Sequence, residues 1–375
     1  MSKKLFCPIS KSKNFKKIYS IKNFPIFMGV SKITSQYKFH DLNWWINRKS
    51  GNVQIHPKIS LERLYFKSHG SGTVGKTWSD HHNCFFSLLK PYIRGNICEI
   101  GGGNNSILKK IRNFSEISSF YSFDKNLEIK KRNKKIFKVK KFFNINFFKN
   151  KAIQKFELVV HSHTFEHLYD PVTFLRTVKF ILAENGKHIF TMPNMTSMIK
   201  RGYANAMNFE HPFFYDEKLV EALLRSNNFE IIKKKYFKKD HSIMYVTKVI
   251  KNLKFTEYLQ YSKNLKIFKT MFNLWKKDIK IMNKFIFKSE NVFIFGAHIF
   301  SQMILFNGLN KKNILGILDN DSKKNNNYLY GTKLKCFSPN VLKNFYSPKV
   351  ILRAGSYNKE IKKQLLLINP STIII

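Results

Sequence analysis

The sequence predicts an α/β protein built around a doubly wound, Rossmann-like sheet, and two observations support this fold class. From about residue 95 onward, short apolar runs typical of buried strands alternate with segments whose apolar residues recur at helical spacing. Such alternation is typical of parallel strands joined by crossover helices. In addition, the series strand, glycine turn and helix occurs twice, at Gly101–Gly103 and at Gly296. We therefore expect a small N-terminal module, a main α/β domain and a second, smaller Rossmann-like domain.

The points where this alternation begins, stops and resumes predict the domain boundaries. Residues 1–66 are rich in turn signals and are expected to form a small module with short strands. The main α/β domain is assigned to 67–250, a lysine-rich helical linker to 251–288, and the smaller α/β domain to 289–375. A chain of 375 residues is long enough for two or three domains.

The same patterns predict the individual elements in chain order. In the main domain the predicted helices are about Trp78–Tyr92, a segment that starts at about Asn105, and Pro171–Gly186. Its predicted strands are Asn96–Ile100, Ser119–Asp124, Phe156–His163 and Lys187–Pro193. In the smaller domain a strand, turn and helix over 291–305 precede strands within 314–321, 349–355 and 371–375.

The strong positive charge does not by itself indicate a nucleic-acid-binding protein. Lys and Arg number 67 against 23 Asp and Glu, which gives a formal net charge of +44. Because lysine is abundant from one end of the chain to the other, including presumed core strands, the excess indicates a broad compositional bias rather than one basic stripe. We therefore expect no nucleic-acid partner, although the charge would attract a small phosphate-bearing molecule.

Cysteine usage and hydropathy favour a cytoplasmic protein. The four cysteines, at positions 7, 84, 98 and 336, are far apart and suggest no disulfide framework. The basic N-terminus lacks an apolar signal-peptide region, and no stretch of about 18 apolar residues predicts a membrane span. We expect no membrane partner, and the sequence leaves the oligomeric state open.

The segment "ICEIGGGNNSIL" is the first candidate binding site. Its glycines, Gly101–Gly103, follow a buried strand that carries an acidic residue, Glu99, near its end. Glycine allows the backbone to turn sharply and to approach a ligand closely. The next predicted strand ends in Asp124, an acid in the position that binds ribose hydroxyls in nucleoside-binding folds. Glu99 before the glycines argues against a pyrophosphate and favours a cationic or zwitterionic ligand.

Four signatures in this order resemble the class I S-adenosylmethionine-dependent methyltransferases over roughly residues 90–250. They are Glu99-x-Gly101-x-Gly103, Asp124, "FELVVHSHTFEHLYDP" and "ILAENGKHIFTMPN". The resemblance implies that S-adenosylmethionine is the cofactor. The residues that it places at the methionine end are Glu99, Gly101, Gly102 and Gly103, with Asp124 on the ribose hydroxyls. The residues that it places along the cofactor, in the turn after the fourth strand, are His161, His163 and Thr164.

The whole chain resembles the three-part sugar C-methyltransferase family, which acts on nucleotide-linked deoxyketosugars. That family has an N-terminal zinc module, a central methyltransferase, a Glu-His motif placed as Glu210-His211 is here, and a C-terminal Rossmann-like domain. The C-terminal match covers about residues 291–375 and includes "FIFGAHIFSQ", "GILDND", "GTKL" and "AGSYNKEI".

This second resemblance implies a mechanism in which His211 removes a proton beside a 4-keto group and the enolate attacks the sulfonium methyl. Histidine can move a proton near neutral pH, and a neighbouring carboxylate such as Glu210 can orient it or hold a sugar hydroxyl. Tyr65 and His82, with His81, lie where the N-terminal segment of that family reaches the active site. We therefore include Tyr65 and His82 among the catalytic candidates.

The sequence departs from that family in the N-terminal module. Two C-x-x-C pairs usually bind structural zinc, whereas this chain reads Cys7-Pro8-Ile9-Ser10 and Asn47-Arg48-Lys49-Ser50. A tetrahedral zinc site needs four thiolate or imidazole donors, so we predict a degenerate module without metal. A tyrosine often found two positions before the Glu of the Glu-His motif is replaced by Asn208.

Other functions stay open from the sequence. An O- or N-methyltransferase that acts on a surface-polysaccharide sugar or another small molecule also needs a base, and His211 could serve there. An RNA methyltransferase would predict a focused basic groove with stacking aromatics, and the sequence shows no RNA-binding motif. A scaffold that has lost catalysis is disfavoured by the presence of Glu99, Asp124 and His211.

Overall fold

The larger sheets of the protein follow one another along the chain. The computed structural model describes residues 5–65, 75–103, 106–127, 135–149, 154–254 and 257–375. Within these ranges a three-stranded sheet is followed by a seven-stranded and then a five-stranded sheet, and two short strands form a further pair. The prediction of an α/β protein with doubly wound, Rossmann-like sheets is confirmed.

The N-terminal module is an antiparallel sheet. Its elements are β1 (Phe15–Pro25), β2 (Val30–Ser31), β3 (Phe39–Asn47), β4 (Val53–Ile55) and the helix α1 (Leu61–Leu64). The sheet order is β1-β3-β4. β1 and β3 are 11 and 9 residues long, so the prediction of short strands is wrong for them. The sequence pattern did not indicate the length of β1, because most of its side chains are half-buried or exposed and lysines interrupt its apolar residues.

The seven-stranded sheet forms the main domain. Its elements are α2 (Lys76–Leu89), β5 (Gly95–Ile100), α3 (Ser106–Ile111), β6 (Ile117–Phe123), β7 (Ile136–Val139), α4 (Asn146–Lys149), β8 (Phe156–Ser162), α5 (Pro171–Ile181), β9 (Leu182–Pro193), α6 (Met195–Lys200), α7 (Glu217–Ser226), β10 (Phe229–Phe237) and β11 (Ser242–Val249). The strand order is β10-β11-β9-β8-β5-β6-β7. β11 runs antiparallel to both of its neighbours, and the other pairs are parallel. This is the doubly wound dinucleotide-fold order with one antiparallel strand inserted.

The strand order reverses between β5 and β8, which are neighbours in the sheet although they are distant in the chain. In open α/β sheets, ligands bind at the carboxyl ends of the strands at such a switch point. The residues that follow β5, β6 and β8 are Gly101, Asp124 and His163. The fold therefore brings these three positions to one edge of the sheet.

The helix predicted over Pro171–Gly186 is shorter than expected. It begins at Pro171, where the side chain of Asp170 accepts a hydrogen bond from the backbone N–H of Thr173, but it ends at Ile181. Gly186 is not a helix terminus and lies within β9. A Cβ at Gly186 would come 2.8 Å from the carbonyl oxygen of Phe156, so glycine is required here for close strand packing.

The C-terminal part consists of one long helix and a parallel sheet. Its elements are α8 (Tyr261–Phe287), β12 (Val292–Phe295), α9 (Ile299–Phe306), β13 (Ile314–Leu318), β14 (Tyr328–Leu329), β15 (Cys336–Phe337), β16 (Lys349–Leu352), α10 (Asn358–Ile368) and β17 (Ile373–Ile374). The sheet order is β15-β13-β12-β16-β17, with parallel pairing.

The helix α8 and the strand β2 join the three sheets. On α8, the Phe272 ring stacks on Tyr19 of β1 at a centroid distance of 4.1 Å, and Nε1 of Trp275 donates to the carbonyl of Gly202 in the main domain at 2.7 Å. β2 pairs with β14 of the C-terminal part. Gln302 of α9 adds a hydrogen bond of 2.9 Å to the carbonyl of Phe27. In the described ranges, no helix is both long and apolar enough to cross a membrane.

Candidate active site

The first two glycines of the turn after β5 have no room for a side chain. Gly101 has a φ of +73°, and a Cβ there would come 2.3 Å from Oγ1 of Thr164. A Cβ at Gly102 would lie 2.2 Å from Oγ of Ser122 and 2.6 Å from Oε2 of Glu99. The turn is thus held against the ends of β6 and β8, with the backbone itself as its surface.

Asp124, directly after β6, is hydrogen-bonded to this turn. Its Oδ2 accepts from the backbone N–H of Gly103 at 2.9 Å, and its Oδ1 accepts from that of Asn126 at 2.7 Å. Among the described atoms, a Cβ at Gly103 would meet only Oδ2 of Asp124 within 4 Å, at 3.7 Å. Because a carboxylate has about four acceptor positions, Asp124 can also accept hydrogen bonds from two ligand hydroxyls.

Glu99 lies beneath the turn and is 1 % exposed. Its Oε2 accepts from Oγ of Ser122 at 2.7 Å. Burial raises the pKa of Glu99 to about 7, although the hydrogen bond from Ser122 acts in the opposite direction. A positive charge beside Glu99 would stabilise its ionised form, so this carboxyl group suits a cationic ligand.

Two of the three candidates at the end of β8, His163 and Thr164, lie in the turn that follows the strand. Thr164 lies against the glycine turn, where its Oγ1 donates to the carbonyl of Ile100 at 3.2 Å. His163, next to it, donates from Nδ1 to Oε1 of Glu166 at 3.2 Å and has a φ of +50°. Both residues therefore lie at the edge where β5 and β8 end.

His161 does not lie at this edge. It pairs with Ile100 across β8 and β5, so its side chain and that of Glu99 point to opposite faces of the sheet. It is 0 % exposed, and its Nε2 lies 3.0 Å from Nε2 of His188. Burial lowers the pKa of His161 well below its usual value. The sequence-based assignment of His161 to the cofactor is therefore not supported by its position, because the core surrounds its ring.

A second group of polar side chains surrounds Glu166 and His167, which follow Thr164 in a short 3-10 helix. The Tyr65 hydroxyl lies 2.7 Å from Nδ1 of His167. The ring of His211 lies 4.5 Å from that of His167, centroid to centroid. Glu166, His167 and His211 each offer one ligand atom, and these atoms all lie within 4.8 Å of one another.

The loop that carries Glu210 and His211 is shaped by Asn208. Oδ1 of Asn208 accepts from the backbone N–H groups of Glu210 and His211, at 2.8 and 3.2 Å. Nδ1 of His211 lies 2.8 Å from the carbonyl oxygen of Asn205. Because a carbonyl can only accept, Nδ1 carries the proton, and the lone pair of the neutral ring is on Nε2.

Burial and neighbouring charges set the protonation of this second group. Burial, followed by the charge of His211, lowers the pKa of His167 to about 4. Burial and then the charge of Glu210 raise the pKa of Tyr65 far above its usual value. For Glu166, burial alone would raise the pKa, but the hydrogen bond from His163 and the nearby histidine charges lower it. At neutral pH the group therefore contains a neutral His167, a protonated Tyr65 and an ionised Glu166.

The N-terminal module directly supports the loop of His211. The backbone N–H of Ile55 in β4 donates to the carbonyl of Pro212 at 2.8 Å, and that of Phe214 donates to the carbonyl of Val53 at 2.9 Å. Tyr65, just after α1, comes from the same module. The module and the main domain thus build this group together.

His82 belongs to a different cluster, around Trp78 of α2. The Trp78 ring lies 6.0 Å from that of His82 and 4.8 Å from that of His163. His81, its neighbour, is buried, and its Nε2 lies 3.1 Å from Oγ1 of Thr191. Among the residues that the structure describes, the contacts of His82 reach the Tyr65 and His211 group through His163 and its bond to Glu166, so the described structure does not bring His82 together with the other catalytic candidates.

The four positions compared with zinc ligands come together in space. Oγ of Ser50 lies 3.2 Å from Sγ of Cys7 and 3.0 Å from Oδ1 of Asn47. The backbone N–H of Ser10 lies 3.4 Å from the same sulfur. Hydrogen bonds thus connect the two turns at the place where a metal would connect them in a four-cysteine module.

Sequence reasoning assigned no role to Glu166 and His167. The adjacent acid and histidine in "TFEHLYDP" could have indicated a site, but this segment served only as a signature of the fold. Ser122, the hydrogen-bond donor to Glu99, carried no sequence signal, because serine inside an apolar strand is common and its partner is identified only by the sheet register.

A comparison with protein-family models finds a match within the main domain. Residues 77–234 match the family model of a methyltransferase domain. No curated protein sequence matches the chain significantly.

Similar chains among the solved structures include S-adenosylmethionine-dependent methyltransferases and an N-methyltransferase. One from Mesorhizobium loti is 13 % identical, with 47 % of this chain and 99 % of that chain covered and a TM-score of 0.36. One from Clostridium acetobutylicum is 14 % identical, with 46 % and 91 % covered and a TM-score of 0.33. The N-methyltransferase NodS from Bradyrhizobium japonicum is 12 % identical, with 46 % and 96 % covered and a TM-score of 0.34.

Proposed function

We propose that this S-adenosylmethionine-dependent methyltransferase, whose residues 77–234 match a methyltransferase-domain model, methylates a carbon atom of a nucleotide-linked deoxyketosugar. The observation that supports this acceptor is the position of His211, with its Nδ1 bonded to a backbone carbonyl and its ring beside His167, which in turn contacts the Tyr65 hydroxyl. Methylation of a carbon requires a base for that carbon and a donor for the neighbouring oxygen, and this group contains both.

The residues around the glycine turn fit the cofactor. Gly101 and Gly102 offer bare backbone, and the buried Glu99 suits a positive group at the methionine end. Asp124 has acceptor capacity for the two ribose hydroxyls beside its bonds to Gly103 and Asn126. When bound, S-adenosylmethionine supplies an electrophilic methyl group.

His211 acts as the base in this proposal. Its Nδ1–H is held by the carbonyl of Asn205, which keeps the lone pair on Nε2 and fixes the plane of the ring. Nε2 would then take the proton from the carbon beside the ketone, which would leave that carbon nucleophilic toward the methyl group that S-adenosylmethionine would supply. Glu210, the neighbouring residue, orients His211 or holds a sugar hydroxyl.

Tyr65 stabilises the oxygen of the ketone as it becomes negative. Its raised pKa keeps the phenol protonated at neutral pH, so it can donate a hydrogen bond. The hydroxyl can at the same time accept from Nδ1–H of His167, which lies 2.7 Å away. His167 thereby positions Tyr65.

A hydroxyl acceptor is the second candidate. The side chain of Asn208 is committed to the backbone N–H groups of Glu210 and His211, so it offers no hydroxyl group to a sugar, unlike the tyrosine expected in the sugar C-methyltransferase family. A sugar hydroxyl would need the same base, His211, but no donor such as Tyr65. Transfer to oxygen is therefore the outcome to distinguish from transfer to carbon.

The test is transfer of a 13C-labelled methyl group from S-adenosylmethionine to a panel of nucleotide-linked 4-ketosugars and their reduced hydroxy forms. The proposal predicts a carbon-bound methyl group beside the ketone, identified by NMR of the product. It also predicts loss of transfer in His211→Asn, with S-adenosylmethionine binding retained. Transfer only to a hydroxyl would contradict the proposal and support the second candidate.

A further inference from the structure

We propose that Glu166, His167 and His211 form a binding site for one divalent transition-metal ion such as Zn²⁺. One ligand atom from each of these three residues lies within 4.8 Å of the other two. Two imidazoles and one carboxylate on one side of an ion are a recurring ligand set for divalent transition metals, and they leave further coordination positions open.

Glu166 supplies the observation that points to a ligand. It is 2 % exposed, and its Oε1 accepts the hydrogen bond from His163. Its Oε2 is buried and has no hydrogen-bond partner among the described residues. A buried carboxylate oxygen without a partner is costly unless a cation or a donor satisfies it.

Each of the three ligands also has a partner that would hold it in place. Nδ1 of His211 donates to the carbonyl of Asn205, and Nδ1 of His167 bonds to the hydroxyl of Tyr65. These bonds leave Nε2 of each ring for an ion. Metal-bound histidines in proteins are usually held in this way through their second nitrogen. The hydrogen bond from His163 has the same effect on Glu166.

An ion at this site and the base function of His211 exclude each other, because both use the lone pair of Nε2. Binding of Zn²⁺ therefore blocks proton removal from the acceptor. This consequence rests on the proposed function, whereas the metal site itself does not. Zn–N and Zn–O bonds are about 2.0–2.2 Å, so small rotations of the three side chains would bring their ligand atoms around one ion.

The test is titration of the full chain with Zn²⁺ by calorimetry, without cofactor or acceptor. We expect one ion per chain, and at least about a tenfold weaker affinity in each of Glu166→Gln, His167→Asn and His211→Asn. The matched control is His241→Asn in the neighbouring cluster around Trp78, which is expected to bind as the wild type does. Thermal unfolding of each variant without metal checks that it is folded.

The absorption spectrum of the Co²⁺ form provides an independent readout of the same ligands. Absorption bands typical of Co²⁺ with nitrogen and oxygen ligands, present in the wild type and absent in the three variants, support the site. Absence of binding, or binding that the three variants leave unchanged, would overturn it. A chain that binds Zn²⁺ but, when free of metal, transfers no methyl group to any ketosugar would leave the metal site standing and contradict the proposed function, so the two failures are distinguishable.

Discussion

The backbone N–H of Gly103 donates a hydrogen bond of 2.9 Å to Oδ2 of Asp124, which fixes the glycine turn of β5 to the acid at the end of β6. The C-terminal sheet repeats this contact, since the backbone N–H of Ala297 donates to Oδ2 of Asp319 at 2.8 Å. The two sites differ in charge, because Asp319 also pairs with Lys324 at 2.9 Å. The smaller domain thus has the same hydrogen bond between turn and acid, but the charge of its acid, Asp319, is neutralised by Lys324.

This difference predicts which acid holds the cofactor. Asp124→Ala should weaken S-adenosylmethionine binding by about 10- to 100-fold, because hydrogen bonds to a charged group contribute about 1.5–3 kcal/mol. Asp319→Ala, which removes the same type of loop contact in the smaller domain, should leave the affinity unchanged. Calorimetric titration of both variants compares them, and an equal loss in the two would refute the assignment.

Glu99 predicts a pH dependence of cofactor binding. Its pKa of about 7 in the free protein means that a proton occupies the carboxyl group below this pH. A positively charged ligand binds the ionised form, so its affinity should fall as the pH is lowered from about 8 to about 6, with a proton released on binding. Calorimetry in buffers of different ionisation enthalpy measures the released proton. In Glu99→Gln we expect weaker binding without proton release, and proton release that persists in this variant would count against Glu99.

The cluster of Cys7, Ser10, Asn47 and Ser50 predicts that a zinc site can be engineered at these positions. Because hydrogen bonds already connect these positions, the triple variant Ser10→Cys, Asn47→Cys, Ser50→Cys should bind one additional Zn²⁺ per chain through four thiolates. The Co²⁺ form should show a sulfur-to-cobalt charge-transfer band. The single variant Ser10→Cys, with two thiolates, serves as the control, and an identical spectrum in both proteins would show that the turns do not converge as described.

The buried pair of His161 and His188 predicts a loss of stability in acid. Burial lowers the pKa of His188 to about 3 and that of His161 well below its usual value. The unfolded chain therefore takes up protons below about pH 6.5 that the native pair does not, so stability falls as the pH decreases from there. The double variant His161→Phe, His188→Phe should show a shallower decrease of the free energy of unfolding, measured with urea between about pH 7 and pH 4. The exposed His40→Asn should follow the wild type.

Sequence patterns located the strands around the cofactor site well, because buried parallel strands read as continuous apolar runs. β5, β6 and β8 each lie within two residues of their predicted bounds, and the glycine turn and Asp124 follow from them. The end of α5 was misplaced because Gly186 resembles a helix terminus, whereas its contact with the carbonyl of Phe156 depends on strand packing.

The residues on the acceptor side of the site were harder to predict from the sequence. Tyr65, His167 and His211 come from three separate segments, and only the fold places the Tyr65 hydroxyl 2.7 Å from His167 and the His211 ring 4.5 Å away. The face on which His161 lies depends on its register opposite Ile100, which no local pattern specifies.

The measurement that tests the role of His211 most directly is deuterium exchange into a nucleotide-linked 4-ketosugar in D₂O, followed by NMR, with S-adenosylhomocysteine in place of the methyl donor. We predict that the wild type exchanges the hydrogen on the carbon beside the ketone and that His211→Asn does not, while both bind the sugar. Exchange at an equal rate in the variant, or no exchange in the wild type although the sugar binds, would contradict proton removal by His211.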